Sequence, residues 1–153
     1  DLDIIRKAGS VTVHCPDATT NIIAGIMPAK ALSEKGVPIA MGCDIGGGQH
    51  AAVYRQVARA VQLSKLKEFY EPEGNGSITF AQAFHMATKA GGSVFDRAGS
   101  LEKGYRFNAL VLDGLEDEGF TLSPEERAER FCYAGDDRNI IGRFIDGKEI
   151  ILP

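Results

Sequence analysis

The stretch Met41-Gly42-Cys43-Asp44-Ile45-Gly46-Gly47-Gly48 decides how this chain is read. The apolar run Val37 to Met41 leads into it, short and β-branched enough for a strand buried in a parallel sheet. Asp44 comes next, and three glycines follow Ile45. A carboxylate at the carboxyl end of a buried strand, followed by backbone free to bend, is where α/β enzymes place ligands. The glycines are no ordinary phosphate cradle. They lack the Gly-Lys-Ser/Thr of a P-loop and the spacing of a dinucleotide fingerprint.

Upstream of this stretch, Asp1 to Ala8 has helical spacing and stops at Gly9. Ser10 to Cys15 reads as a second β-branched strand, ended by Pro16. Asp17 to Asn21 reads as a polar loop. Gly25 to Lys35 then holds a helix, with Pro28 near its first turn and Gly36 just past its end. Downstream, the spacing from His50 to about Tyr70 predicts a long amphipathic helix with Arg55 and Arg59 on its solvated face.

Beyond the loop 71–76, Thr79 caps a helix over Phe80 to Ala90, closed by Gly91-Gly92. A short helix covers Ser93 to Ala98. The tail differs in character. Asn108 to Asp113 is a strand, Gly114 to Leu122 an acidic loop, and Ser123-Pro124 a strong helix start reaching about Tyr133. Ile140 to Ile145, Asp146-Gly147 and Lys148 to Leu152 form a hairpin.

Strand-helix-strand-helix is parallel α/β patterning, and two parallel strands leave ladder groups and faces in need of neighbours. The expected fold is therefore α/β, the carboxyl-terminal portion of a larger barrel or open sheet. Residues 1–98 would be its last two strand-helix units and residues 99–153 part of a small β domain with an inserted helix. The missing initiator methionine fits a cut chain. The competing expectation is a compact α+β domain that joins the two strands and the tail hairpin in one sheet.

Composition excludes several classes. The 153 residues are 44% apolar and 25% charged with net charge -4, ample for a core and without a basic patch for nucleic acid. No apolar run approaches the roughly 20 residues that span a bilayer. Cys15, Cys43 and Cys132 are too widely spaced for a disulfide framework or zinc knuckle, which fits a reducing, cytoplasmic setting.

Among candidate residues Asp44 leads. His14 ends the first strand and shares its rim if the strands run parallel, with a buried, hydrogen-bonded role as the plainer reading. His50 follows the glycines and faces either the site or solvent. His85, between Phe84 and Met86, reads as packing. Cys15 and Cys43 read as small apolar filling, since no base accompanies them. Turn chemistry and ion pairing account for Arg138.

His14-Cys15-Pro16, Gly25-Ile26-Met27-Pro28 and Gly42 through Gly48 together resemble consecutive blocks of the amidohydrolase superfamily, in its aminohydrolase/chlorohydrolase branch. Ala87-Thr88 with Gly91-Gly92 resembles a later block. Gly99 to Gly104 through Ala109 to Asp113 resembles the return into a β-sandwich, and Glu129 to Ile140 is similar to the tail of the branch's guanine deaminase group.

The resemblance implies the seventh and eighth strands of a metal-dependent-hydrolase (β/α)8 (TIM) barrel plus part of a small β-sandwich. It makes Asp44 both a zinc ligand and the catalytic proton acceptor, with zinc as cofactor and guanine, a purine, as substrate. Zinc would activate the water that attacks the ring, giving xanthine and ammonia.

The histidine ligands and the proton-shuttling glutamate of such an enzyme have no counterpart in this chain, which contains no His-x-His. The chain alone is expected to hold zinc weakly or not at all, to be inactive, and to self-associate through its exposed strand edges. His14 and Thr19 are the candidates for substrate contact. Two departures stand out: Asp17-Ala18-Thr19 where the family commonly has Thr-Ser-Asn, and Cys43 where it often has Thr. Other readings are a related enzyme acting on another aminated or chlorinated ring, and a non-catalytic interaction module.

Overall fold

The computed structural model describes residues 2–74, 76–116 and 119–151. Asp1 of the first expected helix, Asn75 of the loop 71–76, Asp117 and Glu118 of the acidic loop, and Leu152 of the hairpin lie outside them, as does Pro153. Strand β1 (Thr12–His14) and strand β2 (Ile39–Met41) pair in parallel, with Thr12 opposite Ile39, Val13 opposite Ala40 and His14 opposite Met41. The crossover between them holds helices α2 (Pro16–Asn21) and α3 (Ala29–Glu34), after an opening helix α1 (Leu2–Lys7).

Helix α4 (Val53–Tyr70) follows β2 and lays Val57, Ala60 and Val61 against Ile39 and Met41. Ile78, Phe80 and Met86 close this core from the far side. Thr79 caps helix α5 (Phe80–His85) in a reciprocal capping box with Gln82.

The second sheet is antiparallel. Strand β3 (Ala109–Leu112) pairs with β4 (Ile140–Ile145), and β4 with β5 (Lys148–Glu149). The β4–β5 turn places Asp146 and Gly147 at φ +50° and +76°, the backbone that an Asp-Gly pair favours. Helix α6 (Pro124–Ala134) joins β3 to β4 and starts from a Ser123–Glu126 capping box. The single mixed sheet of the competing α+β expectation does not form, because among the described residues β1–β2 and β3–β4–β5 are separate sheets.

Two local expectations are corrected. The polar loop expected at 17–21 is helix α2, because Pro16 sits at its first turn instead of ending a strand. The Thr19 and Thr20 hydroxyls then donate to backbone carbonyls a turn earlier. Gly91-Gly92 does not close the helix after Thr79 either. Beyond α5 the chain continues through a π-helical turn (Met86–Ala90), both glycines keep helical φ, and a 3-10 turn (Ser93–Phe95) ends at left-handed Asp96.

Packing, not φ, requires the glycine at 92. A Cβ there would sit 2.0 Å from the Ala98 carbonyl oxygen. Helix propensity alone favours Ala over Gly by about 1 kcal/mol. We expect Gly92→Ala to invert that sign and destabilise by about 1–3 kcal/mol, read as a lowered urea midpoint. A raised midpoint would refute the close approach.

Candidate active-site rim

Because β1 and β2 are parallel and in register, their carboxyl ends open on one side of the molecule. His14 and Cys15 arrive from one strand, Gly42, Cys43 and Asp44 from the other. A Cβ on Gly42 would meet Val13 Cγ1 at 2.6 Å and Cys15 Sγ at 2.9 Å, so Val13 and Cys15 share a face with Gly42. His14, opposite Met41, takes the other face, the one that carries Ile39 and Met41 into the core.

His14 is only 2% exposed, and its Nδ1 has no hydrogen-bond partner among the described residues, unlike the bonded histidine expected. Burial pushes its pKa down from 6.5 to about 4, so the ring is neutral near pH 7. Thr19 is half-buried, and its hydroxyl donates to the Cys15 and Pro16 carbonyls.

Asp44 is exposed at φ +46°, an unusual backbone for a residue with a side chain. Its carbonyl accepts from the amides of Gly47 (3.1 Å) and Gly48 (2.8 Å), closing a tight turn. Glycine is needed at 48, where a Cβ would lie 2.3 Å from the Cys43 carbonyl oxygen. The Asp44 carboxylate passes over bare backbone at Gly47, where a Cβ would come within 3.2 Å of Oδ2. Burial, then the Asp44 charge, then Cys43 raise the Cys15 thiol above its ordinary pKa, which keeps it protonated and unsuited to nucleophilic attack.

Behind this turn lies a carboxylate that the sequence did not single out. Asp17, 2% exposed, sits in the first turn of α2. Its Oδ2 accepts from Gln56 Nε2 at 2.8 Å and lies 2.9 Å from His50 Nδ1, while Oδ1 accepts from Arg59 Nε at 3.0 Å. A carboxylate can only accept, so Nδ1 of His50 carries the proton. Gln56 Oε1 in turn accepts the Asp17 amide at 3.2 Å. Burial raises the Asp17 pKa, but the bonds from His50, Gln56 and Arg59 and the Arg59 charge outweigh it and leave it below the usual value.

Arg59 stays partly exposed, its side chain 41% accessible, while its guanidinium pairs with Asp17, and His50 faces Asp17. The legible signal was Gln56 and Arg59, one turn apart among the apolar positions of α4. His85 is exposed and lies outside the hydrophobic core. Arg138 pairs with Asp136 in its own turn.

The sequence profile of the amidohydrolase family matches residues 1–150. The chain belongs to the amidohydrolase family. Its architecture agrees with that of a guanine deaminase from C. acetobutylicum, solved with guanine bound in its active site, at TM-score 0.90 and 38% identity over 98% of this chain. A guanine deaminase from Dictyostelium discoideum is 26% identical over 98% of this chain. A zinc-bound adenosine deaminase from Xanthomonas campestris shares the fold, with TM-score 0.77 over 97% of this chain at 23% identity.

The chain spans 36%, 35% and 33% of those three proteins, respectively. As an amidohydrolase, its parallel strand-helix part is a TIM-barrel-type fragment.

Zinc-binding relatives raise the question of whether this rim fits zinc. Among the described residues no group of three or more His, Cys, Asp and Glu side chains could hold a metal ion. A catalytic zinc site usually takes three protein ligands, so this amidohydrolase segment offers at most part of one. Asp44 suits that part, being an exposed carboxylate beside backbone without side chains. A cavity of about 730 Å³ lies elsewhere, lined by Tyr54, Phe131, Leu110 and Phe144 between helices and the second sheet. Its lining is mostly apolar, its Lys89 is tied to Glu102 and burial raises its Cys132 thiol, and the rim remains the candidate site.

The buried His14 makes stability pH-dependent in a defined window. Unfolded His14 takes up a proton near pH 6.5 and folded His14 only near 4, so the stability it confers is intact above 6.5 and is lost as pH falls toward 4. The full loss is roughly 3 kcal/mol. Asp17 contributes its own loss only below its unfolded value of 3.8. His14→Leu should flatten the unfolding free energy between pH 6.5 and 4, measured by urea denaturation at each pH. An unchanged acid slope would show that His14 is not buried neutral.

Proposed function

We propose that this chain is the carboxyl-terminal part of a zinc-dependent guanine deaminase, which converts guanine and water to xanthine and ammonia. Residues 1–98 supply the seventh and eighth strand-helix units of the barrel, and residues 99–153 part of a small β-sandwich. The observation that supports this best is the placement of Asp44 on the rim that β1 and β2 share, in a chain 38% identical to a guanine deaminase over nearly its whole length.

Asp44 would be one zinc ligand, with the remaining donors outside this chain. Bound zinc makes a water acidic enough to attack near neutral pH. The Asp44 carboxylate, exposed on the rim, would take one proton from the attacking water and orient its oxygen toward C2 of guanine. That proton would pass to the amine on C2, and the bond from C2 to this exocyclic nitrogen would break as ammonia leaves. The remaining hydroxyl proton would move to ring N3 as the C2 carbonyl of xanthine forms.

Thr19, whose hydroxyl proton is committed to backbone carbonyls, can contact the purine only as an acceptor from a ring N–H. His14 is enclosed and shapes the floor of the rim. No described helix is long and apolar enough to cross a membrane, and the enzyme is proposed to work in the cytoplasm. The free edges of β1 and β2 are the surfaces through which this chain alone would self-associate.

The test is turnover by the full-length protein of which this chain is part. Guanine should be consumed with xanthine and ammonia released, while adenosine and a chlorotriazine react far more slowly. Asp44→Ala should lower kcat by about a hundredfold to ten-thousandfold and reduce bound zinc. Zinc-loaded protein that turns over no aminated ring, or an Asp44→Ala variant with full activity, would defeat the proposal.

A further inference from the structure

We infer that one face of α2 is a clamp for the loop that carries Asp44, with Asp17 a positioning residue acting through His50. The inference rests on the reading of Asp44 as ligand and proton acceptor. Asp17 and Asn21 lie four residues apart, hence on one side of the helix. Asn21 Nδ2 donates to the Gly47 carbonyl at 2.8 Å and to Gln49 Oε1 at 2.9 Å, gripping the near end of the loop. Asp17 grips the far end through His50. Gln56 Nε2, bonded to Asp17, also donates to the His50 carbonyl at 3.3 Å.

Between the two grips the loop rests on the helix itself. A Cβ on Gly48 would lie 3.4 Å from both the Ala18 amide nitrogen and Asp17 Cβ. Asp44 keeps a left-handed φ only if its surroundings hold it there. The two amides that fix its carbonyl belong to Gly47 and Gly48, the residues nearest the grips. Loosening α2 from the loop therefore loosens the turn that aims the Asp44 carboxylate.

A purely structural role, with Asp17 only tying α2 to α4, predicts something different, and the two oxygens separate the cases. Oδ2 faces the loop through His50 and Gln56, and Oδ1 faces Arg59. In Asp17→Asn the amide oxygen can replace Oδ2, but its NH2 meets the Arg59 donor, so the loop grip survives and the ion pair does not. Asp17→Ala removes both. Asn21→Ala removes the near grip from an exposed position and leaves the core untouched.

The experiment compares these variants with wild type in the full-length protein, by hydrogen exchange of segment 44–49 and of the α4 interior, and by guanine turnover. Asp17→Ala should speed exchange of the loop about tenfold or more while sparing the α4 interior. Its kcat should fall by roughly tenfold to a hundredfold with KM little changed. Asp17→Asn should recover most of the lost kcat and the slow loop exchange, and Asn21→Ala should speed loop exchange in the same direction.

Loop and α4 exchange rising together, Asn behaving like Ala, or an undisturbed loop in Asp17→Ala would each overturn the clamp. The exchange measurement needs no catalysis. If the wild-type protein deaminates nothing, the functional reading fails while the clamp is still decided.

Discussion

A carboxylate removed from water must be met by donors, and at Asp17 that requirement organises this end of the molecule. An unpaired buried carboxylate would be costly. Here each oxygen is occupied, and the donors come from places distant in sequence: His50 beyond the glycine loop, and Gln56 and Arg59 on α4. Satisfying one side chain therefore docks α2 on α4 and pins the loop between them. The parallel pairing of β1 and β2 sets the direction of approach, but three residue pairs of ladder fix little by themselves.

The same logic explains why the loop is built from glycine. Clamped between α2 and the end of β2, its backbone passes within contact distance of Cys43, Ala18 and Asp17. Side chains at 47 and 48 would push it away and carry Asp44 with it. The second sheet plays no part in this arrangement. It meets the helical layer across an apolar cavity lined by Tyr54, Phe131 and Phe144, and it leaves Val111, Ile141 and Ile145 exposed. The proteins that this chain resembles are about three times as long, so their sheets have further chain from which to draw neighbours.

Much of this was legible because local chemistry and tertiary demand agree. The β-branched runs became β1 and β2, the Ser123-Pro124 start and the Thr79 cap became capping boxes, and Asp146-Gly147 became the hairpin turn. Where one residue type has two uses, the sequence misled. Pro16 ends a strand and also starts a helix, and only the latter lets Asp17 face α4. Gly91-Gly92 looked like a helix stop, yet Gly92 serves a close approach to Ala98 with φ still helical. Arg59 on an amphipathic helix gave no sign of its ion pair because its partner lies 42 residues away. Long-range pairing of that kind leaves no periodic trace.

The rim finally holds two aspartates given opposite environments, and the contrast suits the two different roles proposed for them. Asp17 is buried, with a donor on each oxygen, and those donors hold its pKa below the usual carboxylate value. Asp44 is exposed, and its peptide, not its carboxylate, carries the hydrogen bonds that hold the turn. A group meant to take up an ion or a proton must keep its lone pairs free, and a group meant to hold others still must spend all of its own. Under the proposed deaminase reading, exchanging the two environments would destroy both functions, so position within this loop, more than residue type, would make Asp44 the chemical group.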